Sequence, residues 1–96
     1  MSRMIDQYIE TLDRKAKGAI RGTAKLVIAD VGNVLLDESG AREGNEAADV
    51  VLIASHDVFT NILSGDQNPI TAFMSGKLKV EGNTKRALKV SSILTD

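Results

Sequence analysis

Near its start the chain places Ile5, Tyr8, Ile9, Leu12 and Ala16 at helical spacing, while Arg3, Asp6, Glu10, Asp13, Arg14 and Lys17 fill the other side. This predicts an amphipathic helix over residues 4–16, stopped by Gly18. Its polar side mixes both signs of charge, which suits a helix lying on a core better than one lying on a membrane surface. The pattern then changes. Residues 24–30 are rich in β-formers, and Gly32-Asn33 offers a turn before Val34, Leu35 and Leu36. Ser39-Gly40 and Glu43-Gly44-Asn45 mark further turns, leaving room at Ala41 and Arg42 for a short edge strand only. The apolar run 50–53 fits a strand inside a sheet rather than at its edge.

Most of the punctuation falls between residues 55 and 82. Ser55 is a helix N-cap with Asp57 in the first turn and Gly65 where the helix must stop. Val58, Phe59, Ile62 and Leu63 share one side of that helix. Asn68-Pro69 restarts the chain as cap and first helical residue, since proline's missing N–H costs nothing there. Ile70, Phe73 and Met74 share a face, and Gly76 closes this short helix. From Lys77 the period becomes two, with Leu78 and Val80 on one side and Lys77, Lys79 and Glu81 on the other. A last helix begins at Asn83 or Thr84 and carries Ala87, Val90, Ser91 and Leu94 on one stripe, with Leu88 beside it. No repeat or linker divides the order, so 1–96 is read as a single domain.

Composition narrows the function more by exclusion than by suggestion. The chain is 43% hydrophobic and 26% charged, which is globular rather than disordered. Twelve Lys+Arg against 13 Asp+Glu leave no basic excess, so no nucleic-acid partner is expected. There is no Cys, which removes disulfides, thiolate metal sites and Cys nucleophiles together. No apolar run is long enough to span a bilayer, and no signal-type apolar segment opens the chain, so a cytoplasmic setting is expected. Any membrane contact would be transient.

Chemistry is thin. His56 is the sole imidazole, and Asp57 beside it points away from it at a helix start, where the helix dipole already accounts for the acid. Neither Ser39-Gly40 nor Ser64-Gly65 has a nucleophile-elbow pattern, and Gly76-Lys77 lacks the spacing of a phosphate loop. No catalytic residue, metal or cofactor is therefore expected. What remains is apolar surface on four helical segments, which either closes over a sheet or leaves room beside it.

The ordered elements 48–50, Ser55-His56-Asp57-Val58-Phe59, Leu63-Ser64-Gly65, Asn68-Pro69 and Phe73-Met74-Ser75-Gly76-Lys77-Leu78-Lys79-Val80-Glu81-Gly82-Asn83 resemble the sterol carrier protein type 2 family of lipid-binding domains. The resemblance implies an α+β fold: a five-stranded, largely antiparallel sheet with helices packed over one face. It also implies a non-enzymatic module with an apolar tunnel between helices and sheet. The ligand would be a fatty acyl chain, acyl-coenzyme A, a phospholipid or a sterol-like lipid. Carried onto this sequence, the ligand-binding wall comprises Phe59, Ile62, Leu63, Ile70, Phe73, Met74, Leu78, Val80, Leu88 and Leu94. Two departures weigh against sterol and a peroxisomal home: Val34-Leu35 stands where members often carry Trp, and Leu94-Thr95-Asp96 lacks a Ser-Lys-Leu address. The expected state is a monomer or weak homodimer. The competing expectation is a structural or interaction module with the same fold and a closed core.

An empty tunnel would be expensive in so short a chain. A void of ~300 Å³, the low end for ligand sites, costs about 7 kcal/mol at ~24 cal/mol per Å³. Total stability is only ~5–15 kcal/mol. The ligand-free form is therefore expected to be partly collapsed or filled by a lipid.

Overall fold

The structure, a computed structural model, describes residues 4–20 and 22–95. Arg3, placed by the helical pattern on the polar side of the first helix, lies outside them, as does Asp96. Helix α1 (Met4–Ala16) buries Ile5, Tyr8, Leu12 and Ala16, and Gly18 just beyond it takes a left-handed φ of 75°. Strands β1 (Ala24–Ala29), β2 (Gly32–Asp37), β3 (Gly40–Glu43) and β4 (Val50–Ser55) follow. Then come α2 (His56–Ser64), α3 (Pro69–Met74), β5 (Lys79–Gly82) and α4 (Thr84–Leu94). The spatial order is β3-β2-β1-β4-β5. Only β1 and β4 pair in parallel; the other three pairings are antiparallel.

The strands alternate as half-covered strands must. Ala24, Leu26 and Ile28 of β1, Val34 and Leu36 of β2, and Val50, Leu52 and Ala54 of β4 are each 6% exposed or less. They share one face, because Leu26 sits opposite both Val34 and Leu52. All four helices serve that face: α1 lies over β2 and β3, α2 over β1 and β4, and α4 over β4 and β5, with α3 against α4. The other face presents Lys25, Val27, Asn33, Val51 and Ile53.

One turn differs from expectation. The β1–β2 corner is Asp30-Val31, and Gly32 and Asn33 already belong to β2, opposite Ile28 and Val27. Asp30 itself adopts a left-handed φ of 64°, which Asp tolerates, and Gly32 follows the corner with a φ of 148° that favours glycine. Starting β2 earlier also sets Val34 and Leu36 on the covered face.

The edge strand β3 is tied down from both sides. Asp13 Oδ1 on α1 accepts the Ala41 N–H at 2.9 Å, and a Cβ on Gly40 would run into the same carboxylate. In the β2–β3 turn, Asp37 Oδ1 accepts the Ser39 N–H at 2.9 Å, while Arg42 Nη1 meets Asp37 Oδ2 at 2.6 Å. From β3 the chain crosses the open face to reach β4. Gly44 lies against the side chain of Leu35, and Lys25 Nζ donates to Asn45 Oδ1 at 3.2 Å. This crossover explains why Leu35 is only 3% exposed although it points away from the helices.

Candidate functional site: the helix–sheet layer and the α1–α2 cleft

The caps that position the layer follow the sequence. Ser55 Oγ accepts the Val58 N–H at 3.2 Å, and Gly65 ends α2 with φ of 87°. Asn68 Oδ1 accepts from Ile70 at 2.8 Å and Thr71 at 3.2 Å, with Pro69 opening α3. Asn83 Oδ1 caps α4 through the Arg86 N–H at 3.0 Å. Ala87, Val90, Ser91 and Leu94 are the buried stripe of α4, and the Ser91 hydroxyl donates to the Leu88 carbonyl at 2.8 Å.

The ten residues expected to line a ligand divide into three groups. Phe59, Ile62, Leu78 and Leu94 are 1% exposed or less and fill the middle of the layer. Leu63, Phe73, Val80 and Leu88 are half-buried; the first three pack on the same cluster at its seams. Ile70 and Met74 are 48% and 80% exposed. The face of α3 that turns inward carries Pro69 and Ala72 instead. The short helix can bury only one narrow side against α4, and the small Ala72 permits the closer approach.

The helices leave a recess of about 340 Å³ between α1 and α2. Met4, Gln7, Tyr8 and Thr11 line it from α1, and His56, Thr60, Leu63 and Ser64 from α2. Among the described residues no lining side chain carries a formal charge when His56 is neutral. A polar group sits in its wall. The Tyr8 Oη lies 2.7 Å from His56 Nδ1, 3.1 Å from the His56 carbonyl oxygen and 3.2 Å from Thr60 Oγ1. The two rings meet edge to face with centroids 5.7 Å apart. Burial pushes the Tyr8 phenol above its usual 10.0; the Thr60 hydrogen bond opposes this and the Asp57 charge adds to it. The His56 ring also borders a neighbouring recess of about 320 Å³ formed with Met4, Asp30, Ser55 and Asp57.

The sequence leaves His56 without a partner, since Asp57 beside it points away; the structure gives it Tyr8 and Thr60, and Asp57 stays exposed. Forty-eight residues separate Tyr8 from His56, so local spacing carries no sign of the contact. The available signal was the placement of the sole Tyr on the inner side of one helix and the sole His at the start of another. Among the described residues no group of three or more His, Cys, Asp or Glu could hold a metal ion, and no helix is long and apolar enough to cross a membrane.

Comparison with known proteins places this geometry. The sequence model of the SCP-2 sterol transfer family matches residues 5–95. Hydroxysteroid dehydrogenase-like protein 2 of Mus musculus is 43% identical over 56 residues, which is 58% of this chain but 11% of that protein. A fatty acid-binding protein of Yarrowia lipolytica is 36% identical over 62% of this chain and 50% of its own length. The chain thus spans half or less of these curated relatives. The solution structure of sterol carrier protein 2 from Aedes aegypti in complex with palmitate superposes with a TM-score of 0.77 at 19% identity, over 98% of this chain and 96% of that one.

Proposed function

The chain belongs to the SCP-2 sterol transfer family, and on that ground we propose that it binds and transfers a single-chain lipid without catalysing a reaction on it. The ligand would lie between the helices and the covered face of the sheet, against Phe59, Ile62, Leu63, Phe73, Leu78 and Val80. The observation that carries this reading is the seam. Leu63, Phe73, Val80 and Ile93 are apolar and continuous with the core, yet only partly buried. A small outward shift of α2 and α3 would join that seam to the interior and open space for a hydrocarbon chain. The names of two relatives, one a fatty acid-binding protein and one held with palmitate, support a straight hydrocarbon chain as the guest, whatever its head group. The dehydrogenase activity that the name of the mouse relative suggests is not carried over, because this chain matches a tenth of that protein.

A second reading, a closed structural module of the same fold, draws on the depth at which Phe59, Ile62, Leu78 and Leu94 are buried. Titration with a fluorescent acyl chain separates the two. The carrier takes up the probe, releases it to unlabelled lipid, and melts later when loaded, by about 2.7 kcal/mol of added stability at a hundredfold excess over Kd. Phe73→Ala then weakens uptake. No uptake and an unshifted melting point would leave the closed module.

A further inference from the structure

We infer that the recess between α1 and α2 is a receptor for the hydroxyl group of a lipid alcohol, with His56 Nε2 as its hydrogen-bonding contact. This rests on the carrier reading and adds to it which end of the guest is recognised, and where.

The argument begins with one proton. The Tyr8 hydroxyl has a single hydrogen and three acceptors in range, His56 Nδ1 at 2.7 Å, the His56 carbonyl at 3.1 Å and Thr60 Oγ1 at 3.2 Å. If it donates to Nδ1, a neutral ring carries its own proton on Nε2 and offers a donor. If it donates to the carbonyl or to Thr60 Oγ1, Nδ1–H points back at the Tyr8 oxygen and Nε2 offers a lone pair. Among the described residues nothing hydrogen-bonds to Nε2, and His56 lines both recesses. The site therefore presents a group that is a donor in one arrangement and an acceptor in the other. A hydroxyl satisfies either; a carboxylate satisfies only the first.

Charge points the same way. Among the described residues the lining holds Gln7, Thr11, Thr60 and Ser64 but no Lys or Arg, while Asp57 and Asp30 stand at the neighbouring recess. A carboxylate brought here would lose hydration and gain no cation from the described residues. Met4 and Leu63 supply the apolar contact that the first carbons of a chain require, and Leu63 already packs on the core. At about 340 Å³ the recess lies at the lower end of small-ligand sites, enough for the head and upper part of a guest whose remainder runs inward.

Because the chain contains one Tyr, one His and no Trp, both reporters of this site are unique. At pH 8, 1-dodecanol and dodecanoate are titrated in parallel into the protein and into His56→Phe, with uptake read by calorimetry. Tyr8 fluorescence and the His56 ring resonances are read in the parent protein. Cholesterol runs as a third arm, since a sterol offers the same hydroxyl on a different skeleton. His56→Phe keeps the ring's bulk and leaves Tyr8 its bond to the backbone carbonyl, so folding is preserved. The expected result is that an alcohol shifts both reporters, and that His56→Phe weakens that alcohol roughly three- to tenfold, the worth of one hydrogen bond, while dodecanoate is unaffected. Equal weakening of alcohol and carboxylate, or alcohol uptake with both reporters unmoved, overturns the assignment and leaves the carrier reading standing. Absence of uptake of all three ligands overturns both.

Discussion

On the helix-covered face of the sheet Leu26 stands between Val34 and Leu52, and all three are 1% exposed or less. One residue along, on the other face, Val27 stands between Asn33 and Ile53, and all three are half-exposed. The side chains of β1 and β4 are almost as apolar on one face as on the other. What separates the faces is the set of helices supplied to one of them. A one-residue slip of β4 would exchange Leu52 for Ile53 at little hydrophobic cost, so greasiness alone does not set the register. The polar positions Lys25 and Asn33 fix which faces of β1 and β2 are covered, because neither could be carried under the helices without a partner. The carrier function proposed above would use this asymmetry: the covered face would part from its helices and close again, while the pairings between strands held still.

Substitutions sharpen the contrast, beginning with the deepest. Phe59→Ala removes a ring that is 1% exposed, and should lower unfolding free energy by ~3–5 kcal/mol. Leu52→Ala, at 0% exposure on the covered face, should cost ~2–5 kcal/mol. Urea unfolding measures both. Ile53→Ala, its immediate neighbour on the open face, should cost about 1 kcal/mol or less, since little of its surface loss is cavity. If Ile53→Ala matched Leu52→Ala, the open face would be covered in solution and the contrast would fail.

Leu35→Ala tests the exception. Its side chain points away from the helices yet is 3% exposed under the crossover at Gly44. The cost should be ~2 kcal/mol, nearer the core values than that of Ile53. A cost as small as that of Ile53 would mean that the crossover lies only loosely on the sheet.

The same contrast marks what could be read in the sequence. Local chemistry was legible: Ser55, Asn68-Pro69, Gly65 and Asn83 act as read, because a cap acts within four residues of itself. The stripe of α4 was legible as well, since every residue on it packs one way. The orientation of α3 was not. Ile70, Phe73 and Met74 lie together on one side, but whether that side turns inward depends on what α4 offers, and α4 accepts the smaller Ala72. The shielding of Leu35 and the meeting of Tyr8 with His56 depend on pairings across the fold, which no local period records. Most of the fold was therefore written locally, whereas the recess, formed between two helices far apart in sequence, was not.

The smallest effect belongs to the rim of the open face. Asp37, at the end of β2, is held at a pKa of about 2 against an ordinary 3.8, first by its hydrogen bond from the Ser39 hydroxyl and then by that from Arg42. A carboxyl whose pKa falls on folding stabilises the fold at pH values above its unfolded pKa. The contribution fades as pH drops from about 4 toward 2. Arg42 is half-exposed and Asp37 reaches solvent in part, so water and salt weaken the pair, and the change should be small beside that of any buried substitution. Comparing Asp37→Asn with the parent protein from pH 2 to 7 isolates it: the two stability curves should converge at the acid end and separate as pH rises through 4. Curves that stay parallel across this range would show that the turn holds its shape through backbone geometry, with the Ser39 and Arg42 contacts adding nothing to the stability of the open edge.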